Sequence, residues 1–261
     1  MFFAVLNFTL SGAIGIIGIL TLRKVSTPNE VVFASLPLLF ALHQFTQGFV
    51  WLGMYHLIEP RALHMAEDIF VFYAQGFLQF LVPLALWLIE PSVLRRRAIG
   101  ILMAAGAALM LYTMWGLSIH PTSVSIESGT LAYLNPWTDK LWVALLYVLT
   151  TCGSLIISSS IAIQLFGWLN LIGLTLVYLL NPDGFTSLWC LYAASVSGLL
   201  YFYFVERRIL FLQKIKRKES GLSKRLEKEL QNLKSRYPHL RSWFQKRFAN
   251  WGTVFGGAGR G

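Results

Sequence analysis

The chain has 261 residues, of which 56% are apolar, 15% aromatic and only 13% charged. Soluble globular proteins carry about 25% charged residues, and a mean hydropathy of +0.58 excludes a fold covered by polar surface, so we expect most of this surface to face lipid. The net charge of +10 does not indicate a nucleic-acid partner, because 15 of the 22 Lys and Arg residues follow position 206 and leave the apolar part nearly neutral.

Seven apolar segments approach or exceed the roughly 20 residues that a helix needs to cross a bilayer. We therefore predict an all-α, polytopic membrane protein with a bundle of seven transmembrane helices. In chain order the predicted helices are Phe2 to Leu22, Val31 to Ile58, Glu67 to Ile89, Ala98 to Leu117, Leu141 to Ser158, Ser160 to Leu180, and Gly184 to Val205.

The distribution of positive charge predicts how the bundle is oriented. Arg23 and Lys24 lie in the first loop, Arg95 to Arg97 in the third, and fifteen basic residues in the tail, whereas the intervening loops hold only Arg61 and Lys140. Basic residues concentrate in cytoplasmic loops. The pattern predicts an N-terminus outside and a C-terminus in the cytoplasm, in the cell membrane.

The segment between the fourth and fifth predicted helices, residues 118–140, is the one sizeable external loop. Residues 122–126 alternate β-branched and polar side chains, a pattern compatible with a short hairpin or a cap over the mouth of the bundle. A disordered loop is the alternative, and the sequence does not decide between them.

The chain divides into a transmembrane domain (residues 1–206), a basic amphipathic cytoplasmic tail (207–255) and a terminus expected to be disordered (256–261). From Leu222 to Tyr237, leucines recur at helical spacing, which suits either a helix on anionic inner-leaflet lipids or docking of a protein partner or second copy. The residues predicted to bind that surface or partner are Arg217, Lys218, Lys224, Arg225, Trp243, Phe244 and Arg247.

Two stretches of the sequence resemble an uncharacterised family of bacterial and archaeal multi-pass proteins, DUF6629. They are TLRKVSTPNEVVFASLPLLFALHQFTQGFVWLGM, which runs from the end of the first predicted helix through the second, and SLWCLYAASVSGLLYF, residues 187–202, in the seventh. The resemblance covers roughly residues 1–206. The chain departs from the family pattern at its first residues, which read MFFA, and at Gln47, where relatives tend to have Glu. The resemblance implies a membrane protein with no established activity.

Polar side chains at membrane depth are costly and therefore mark candidate sites. His43, Gln44, Gln47 and Trp51 lie on or beside one face of the second predicted helix. Asp68, Gln75 and Gln79 share one face of the third at the α-helical spacing, and Cys190 lies on the seventh. These eight residues are the candidate lining of a polar pocket that opens outward. Interhelical hydrogen bonding that only holds the bundle together is the alternative.

Three functions are compatible with these features. The leading one is binding or transport of a small or lipid-like ligand in the polar pocket, without catalysis. The second is a membrane-embedded hydrolase or lipid-modifying enzyme that uses an outer cluster of His56, His64, His120 and Asp68. The third is a structural subunit of a larger membrane complex, docked through the tail. No cofactor or metal is predicted for the first and third, and only the second would involve zinc.

Overall fold

The computed structural model describes residues 1–127, 129–182, 184–218 and 224–236. This part of the chain is mostly helical and contains one two-stranded hairpin. Its helices are α1 (Phe2–Leu22), α2 (Val31–Met54, preceded by a 3₁₀ turn at Pro28–Glu30), α3 (Pro60–Phe72), α4 (Leu78–Ile89), α5 (Val93–Ile119), α6 (Leu141–Val148), α7 (Ser154–Ile157), α8 (Ile161–Leu180), α9 (Phe185–Ser197), α10 (Leu200–Lys218) and α11 (Lys224–Arg236).

Six helical segments of the described residues are long and apolar enough to cross a membrane, which fits an all-α polytopic protein. They are Phe2–Leu22, Pro28–Met54, Pro60–Ile89, Val93–Ile119, Ile161–Leu180 and Phe185–Gln213. The fifth predicted helix forms as a shorter apolar helix, Leu141–Ile157.

Two helical segments contain a π-helical turn, in which the backbone accommodates one extra residue. Tyr73–Phe77 joins α3 to α4, and Leu149–Gly153 joins α6 to α7. In the first of these turns the N–H of Leu78 donates to the carbonyl of Tyr73, five residues earlier. Such insertions rotate everything that follows relative to the preceding turns.

Several predicted helix boundaries differ from the structure, and α2 ends at Met54 rather than Ile58 while α5 begins at Val93 rather than Ala98. α3 begins at Pro60 rather than at Glu67, because proline suits the first position of a helix, where no N–H partner is required. The seventh predicted helix is interrupted between Ser197 and Leu200, and α10 continues through the predicted domain boundary at residue 206.

The loop between α5 and α6 forms the hairpin that was one of its two expected structures. β1 (Ser123–Glu127) pairs antiparallel with β2 (Thr130–Leu134), and Ser123 lies opposite Leu134. Gly129 in the turn has a φ of +77°, a conformation that glycine adopts without steric cost.

The hairpin and residues 135–140 lie at one end of the helix bundle, named here the hairpin end. The ring of Tyr133 in β2 stacks on Phe70 of α3, with 4.3 Å between ring centroids. Trp137 packs against Gly116, near the last turn of α5. The hairpin is therefore part of the packed bundle.

The opposite end, named the basic end, is held by charged side chains. Arg207 Nη2 lies 3.0 Å from Glu30 Oε1 and so joins α10 to the turn before α2. Arg95 Nη1 of α5 donates to the carbonyl of Ser158 at 2.8 Å. The buried carboxylate of Glu90 also accepts a hydrogen bond from the Ser158 hydroxyl, so the α4–α5 and α7–α8 connections meet here.

α1 packs along α2 through a close approach of backbones. A Cβ atom on Gly18 would lie 2.6 Å from the backbone nitrogen of Leu38, whereas one on Gly12 would meet nothing within 4 Å. Small residues permit such contacts between membrane helices.

The described part of the tail folds back on the last long helix of the same chain. Leu233 of α11 is buried in a cluster with Val205, Ile209 and Leu212 of α10, and Arg208 Nε lies 3.4 Å from Glu229 Oε1. At least this part of the leucine stripe is therefore covered within the chain. Arg217 and Lys218 lie in α10 and Lys224 and Arg225 in α11, whereas Trp243, Phe244, Arg247 and residues 256–261 lie outside the described residues.

Candidate functional site

A cavity of about 520 Å³ lies at the hairpin end, and we call it the hairpin-end cavity. Its walls come from the π turn and start of α4, the segment 138–140, α6, α8 and the start of α9. Its lining residues are Ala74, Gln75, Gln79, Thr138, Asp139, Lys140, Leu141, Val143, Ala144, Leu145, Tyr147, Val148, Leu174, Tyr178, Phe185, Thr186 and Trp189. The volume falls in the usual range for small-molecule sites.

The cavity occupies the space between α6 and α8 at the hairpin end. These helices belong to segments joined by a tight turn at the basic end. Near that turn the two segments pack closely, since a Cβ atom on Gly167 of α8 would lie 2.7 Å from the Cβ atom of Leu155 in α7. Toward the hairpin end, Leu145 of α6 and Tyr178 of α8 instead line the cavity.

One wall of the cavity carries two glutamine amides. Gln79 is fully buried, and its Nε2 donates to the backbone carbonyl of Gln75 at 2.7 Å. That bond fixes the amide orientation, and Gln79 Oε1 has no hydrogen-bond partner in the described part of the chain. Gln75 Oε1 is likewise buried and unpartnered there. The wall therefore presents acceptors.

The rim at the hairpin end carries one positive and one negative side chain. Lys140 Nζ donates to the Tyr112 hydroxyl at 3.2 Å and lies 4.7 Å from the centroid of the Trp137 ring. Asp139 Oδ2 accepts the N–H of Asn135 at 2.9 Å. Partial burial raises the pKa of Asp139, and the hydrogen bond from Asn135 opposes that rise.

The opposite side of the cavity is apolar and opens on the outer surface of the bundle. Leu141, Leu145 and Tyr178 line the cavity and are 77%, 61% and 57% exposed. They belong to apolar helices, whose outer surface would face lipid in a membrane. The opening is therefore lateral, between α6 and α8.

Of the eight predicted pocket residues, Gln75 and Gln79 line this cavity. His43, Gln44, Gln47, Trp51, Asp68 and Cys190 do not. The sequence had placed the pocket between the second, third and seventh helices, whereas the cavity lies between the third, fifth, sixth and seventh.

His43 lies in a continuous stack of four rings. Its imidazole stacks between Phe70, at 4.1 Å between centroids, and Tyr73, at 4.5 Å, and Phe70 in turn stacks on Tyr133. His43 is buried, and neither ring nitrogen has a hydrogen-bond partner within the described ranges. Burial also raises the pKa of the Tyr133 hydroxyl well above its usual range. The histidine is therefore packed as an aromatic ring.

The other predicted residues of the second helix are buried, and two of them contact α1 or α9. Gln47 Nε2 donates a hydrogen bond to the Ser187 hydroxyl. Gln44 is fully buried, and its two amide atoms find no partner among the described residues. Trp51 stacks on Phe3, with 4.7 Å between centroids, and Cys190 is a buried free thiol in α9. The second and seventh predicted helices are thus adjacent, as the predicted pocket requires.

Asp68, which the α-helical spacing places on one face with Gln75 and Gln79, does not line the cavity with them. It is exposed, whereas its neighbour Glu67 is buried and lies 3.1 Å from His64 Nδ1. Between Asp68 and Gln79 the π turn at Tyr73–Phe77 interrupts the α-helical repeat on which the shared face depended.

The histidines predicted for an outer hydrolytic cluster do not assemble into one. In the part of the chain that the structure describes, no three His, Cys, Asp or Glu side chains come together in a way that could hold a metal ion. His64 contacts Glu67, and His120 stacks on Trp137.

Sequence reasoning missed several residues of the cavity. Lys140 and Asp139 form its rim, and Trp189 Nε1 donates to the Tyr147 hydroxyl at 2.8 Å in its wall. The isolated position of Lys140 beside an apolar helix was the available signal for the rim. Tyr147 and Trp189 had none, because each looks like an ordinary apolar position of its helix.

The comparisons with known proteins identify the family and give no activity. No curated protein and no solved structure matches the chain. One family model matches residues 2–214, which covers all the helices that form the cavity. The chain therefore belongs to DUF6629, a family of unknown function.

Proposed function

We propose that this protein is a non-catalytic membrane protein that binds or transports a small or lipid-like ligand in the hairpin-end cavity. The observation that carries the proposal is the fully buried Gln79, which lines a cavity of about 520 Å³ and whose amide oxygen has no hydrogen-bond partner among the described residues. Buried polar atoms are almost always hydrogen-bonded, so a ligand donor would complete the site.

A cavity-filling substitution tests ligand binding. Thr186 lines the cavity from α9, and Thr186→Trp would occupy it. Ile172→Trp is the matched control, because Ile172 lies on the outer surface of α8 at 55% exposure and does not line the cavity. Proteins purified in mild detergent would be analysed by mass spectrometry for bound small molecules.

We expect a co-purifying molecule with wild type and with Ile172→Trp, and its loss with Thr186→Trp. A molecule retained equally by all three proteins, or found with none, would contradict the proposal. Circular dichroism and gel filtration would check that the variants fold.

We further propose seven spans in the cell membrane, with the hairpin end outside and the basic end in the cytoplasm. The basic residues Arg23, Lys24 and Arg95 to Arg97 support this orientation. Leu141–Ile157 would cross as the fifth span, and its apolar character and its packing against α5 and α8 support this.

Cysteines introduced one at a time into a variant that lacks Cys152 and Cys190 would test the topology. Ser123→Cys in the hairpin should react with a membrane-impermeant maleimide on intact cells. Arg96→Cys and Ser159→Cys should react only after lysis. Labelling of Ser159→Cys on intact cells would contradict the proposed fifth span. The reverse pattern at all three positions would show that the orientation is opposite to the proposed one.

For the tail we propose contact with anionic lipids of the inner leaflet. The supporting observation is compositional, since the tail combines basic and aromatic residues. In proteoliposomes, trypsin should cleave the tail more slowly when phosphatidylserine is added to phosphatidylcholine. Equal cleavage in both would contradict this part, and protection that needs a higher protein density instead of anionic lipid would indicate a protein partner or second copy.

A further inference from the structure

We infer that the ligand of the hairpin-end cavity is a bilayer lipid with an anionic headgroup that carries free hydroxyls. Its headgroup would lie against the glutamine wall and the rim, and its acyl chains would leave between α6 and α8. This inference rests on the proposed function, because it names the class of ligand that the same cavity takes.

The glutamine wall calls for a hydrogen-bond donor. Gln79 Nε2 is committed to the Gln75 carbonyl, so the oxygen that remains can only accept. Gln75 adds a second buried amide oxygen without a partner in the described residues. An ester or an alkyl chain cannot satisfy these atoms, whereas a hydroxyl can.

The charges at the rim favour a ligand that carries an anionic group next to a hydroxyl. Lys140 uses one donor on Tyr112, and no carboxylate of the described residues lies within ion-pair distance of it. An ammonium group has three donors, so a phosphate would complete its hydrogen bonding. Asp139 beside it would repel a bare phosphate but can accept from a hydroxyl, which favours a polyol phosphate over a phosphate alone.

The lateral opening calls for apolar chains. Leu141, Leu145 and Tyr178 are exposed at the mouth, and Val148 and Leu174 continue the apolar lining inward. A water-soluble ligand would leave this surface uncovered. A lipid already present in the surrounding bilayer would enter through the opening sideways, with its chains staying in the hydrocarbon region.

Native mass spectrometry of the full chain in detergent would test this class. The probes are phosphatidylglycerol, phosphatidic acid and phosphatidylcholine with identical acyl chains. Phosphatidylglycerol has a net negative charge and free hydroxyls, and phosphatidic acid has the negative charge without a polyol. Phosphatidylcholine has no free hydroxyl, and its choline cation balances the phosphate charge. We expect their affinities to fall in that order.

Variants of the rim and wall separate the two recognition features. Lys140→Gln should weaken phosphatidylglycerol binding about tenfold or more, as expected for a lost charged hydrogen bond, and Lys140→Arg should retain most of it. Gln79→Leu should weaken phosphatidylglycerol while leaving phosphatidic acid nearly unchanged. Thr186→Trp should abolish binding of both, and Ile172→Trp should not.

Equal affinities for the three lipids, or full phosphatidylglycerol binding by Lys140→Gln and Gln79→Leu, would overturn the inference. If Thr186→Trp still displaces another co-purifying molecule, the cavity binds a ligand and only the lipid class is wrong. If Thr186→Trp binds every molecule as wild type does, the proposed function fails as well.

Discussion

The imidazole of His43 lies 4.1 Å from the ring of Phe70, centroid to centroid, at an interplanar angle of 17°. This stack joins α2 to α3 and, through Tyr133, to the hairpin. A histidine in the middle of a predicted span suggests titration or ligation, yet its nitrogens contact no polar group within the described ranges. Its contribution is the packing of a flat ring.

A substitution that keeps the ring of His43 should therefore keep the stability. We expect the free energy of unfolding of His43→Phe to lie within about 1.5 kcal/mol of the wild-type value. The change roughly conserves side-chain volume and removes two nitrogens that have no partner among the described residues. His43→Ala should lose about 2–5 kcal/mol through the cavity it leaves. Unfolding in mixed micelles of increasing sodium dodecyl sulfate would measure both. Equal losses in the two variants would mean that the nitrogens have partners.

Close packing of α1 on α2 predicts opposite behaviour of two glycines in one helix. Gly18→Ala would push a methyl group into the backbone of Leu38, and overpacking of this kind costs about 1–3 kcal/mol. Gly12→Ala meets open space and should be neutral or stabilising by up to about 1 kcal/mol. Thermal unfolding in detergent would rank them, and equal stability of the two variants would contradict the close approach at Gly18.

The ion pair between Arg207 and Glu30 joins parts of the chain 177 residues apart. Glu30 is 4% exposed and its other oxygen accepts the N–H of Ser26 at 2.9 Å, whereas Arg207 is 46% exposed. A double-mutant cycle of Glu30→Gln and Arg207→Gln should give a coupling of about 1 kcal/mol, because solvent screens the exposed partner. A coupling near zero would show that Glu30 acts only through its backbone hydrogen bonds.

The return of α11 onto α10 predicts a sensitive and an insensitive position next to each other. Leu233 is buried against Ile209 and Leu212, while Asn232 is exposed. Leu233→Glu should release α11 and speed tryptic cleavage of the tail severalfold, because it buries an unpaired charge in the docked state. Asn232→Glu adds the same charge and should leave the rate unchanged. Equal cleavage of the two variants would mean that α11 is not docked.

Local sequence pattern predicted the helices well, because the length and apolar character of a segment are properties of that segment alone. The spans from Phe2 and Val31 begin at the predicted residues. The alternation in residues 122–126 allowed a hairpin or a disordered loop, and the tertiary structure decided for the hairpin. The break after Ser197 escaped prediction, since Ser, Gly and Ala are common within membrane helices that pack closely.

The cavity was predicted only in part, and the reason is geometric. Gln75 and Gln79 were identified from their cost at membrane depth, which depends on residue type. Asp68, assigned to the same face, is exposed and does not line the cavity, and the assignment assumed an uninterrupted α-helical repeat that the π turn at Tyr73–Phe77 breaks before Gln79. The contribution of Lys140 to the same cavity could not be predicted, because it depends on how the segment before α6 folds over the ends of the helices.

By itself, the sequence determined that this protein is a bundle of apolar helices whose basic residues lie in alternate loops, since hydropathy and charge are properties of each residue alone. Only the tertiary structure decided which polar groups meet. Among helices with lipid-like surfaces, partners are selected by the fit of small residues and by turns such as the π turn, and a rotation of one residue moves a side chain from a cavity to the surface.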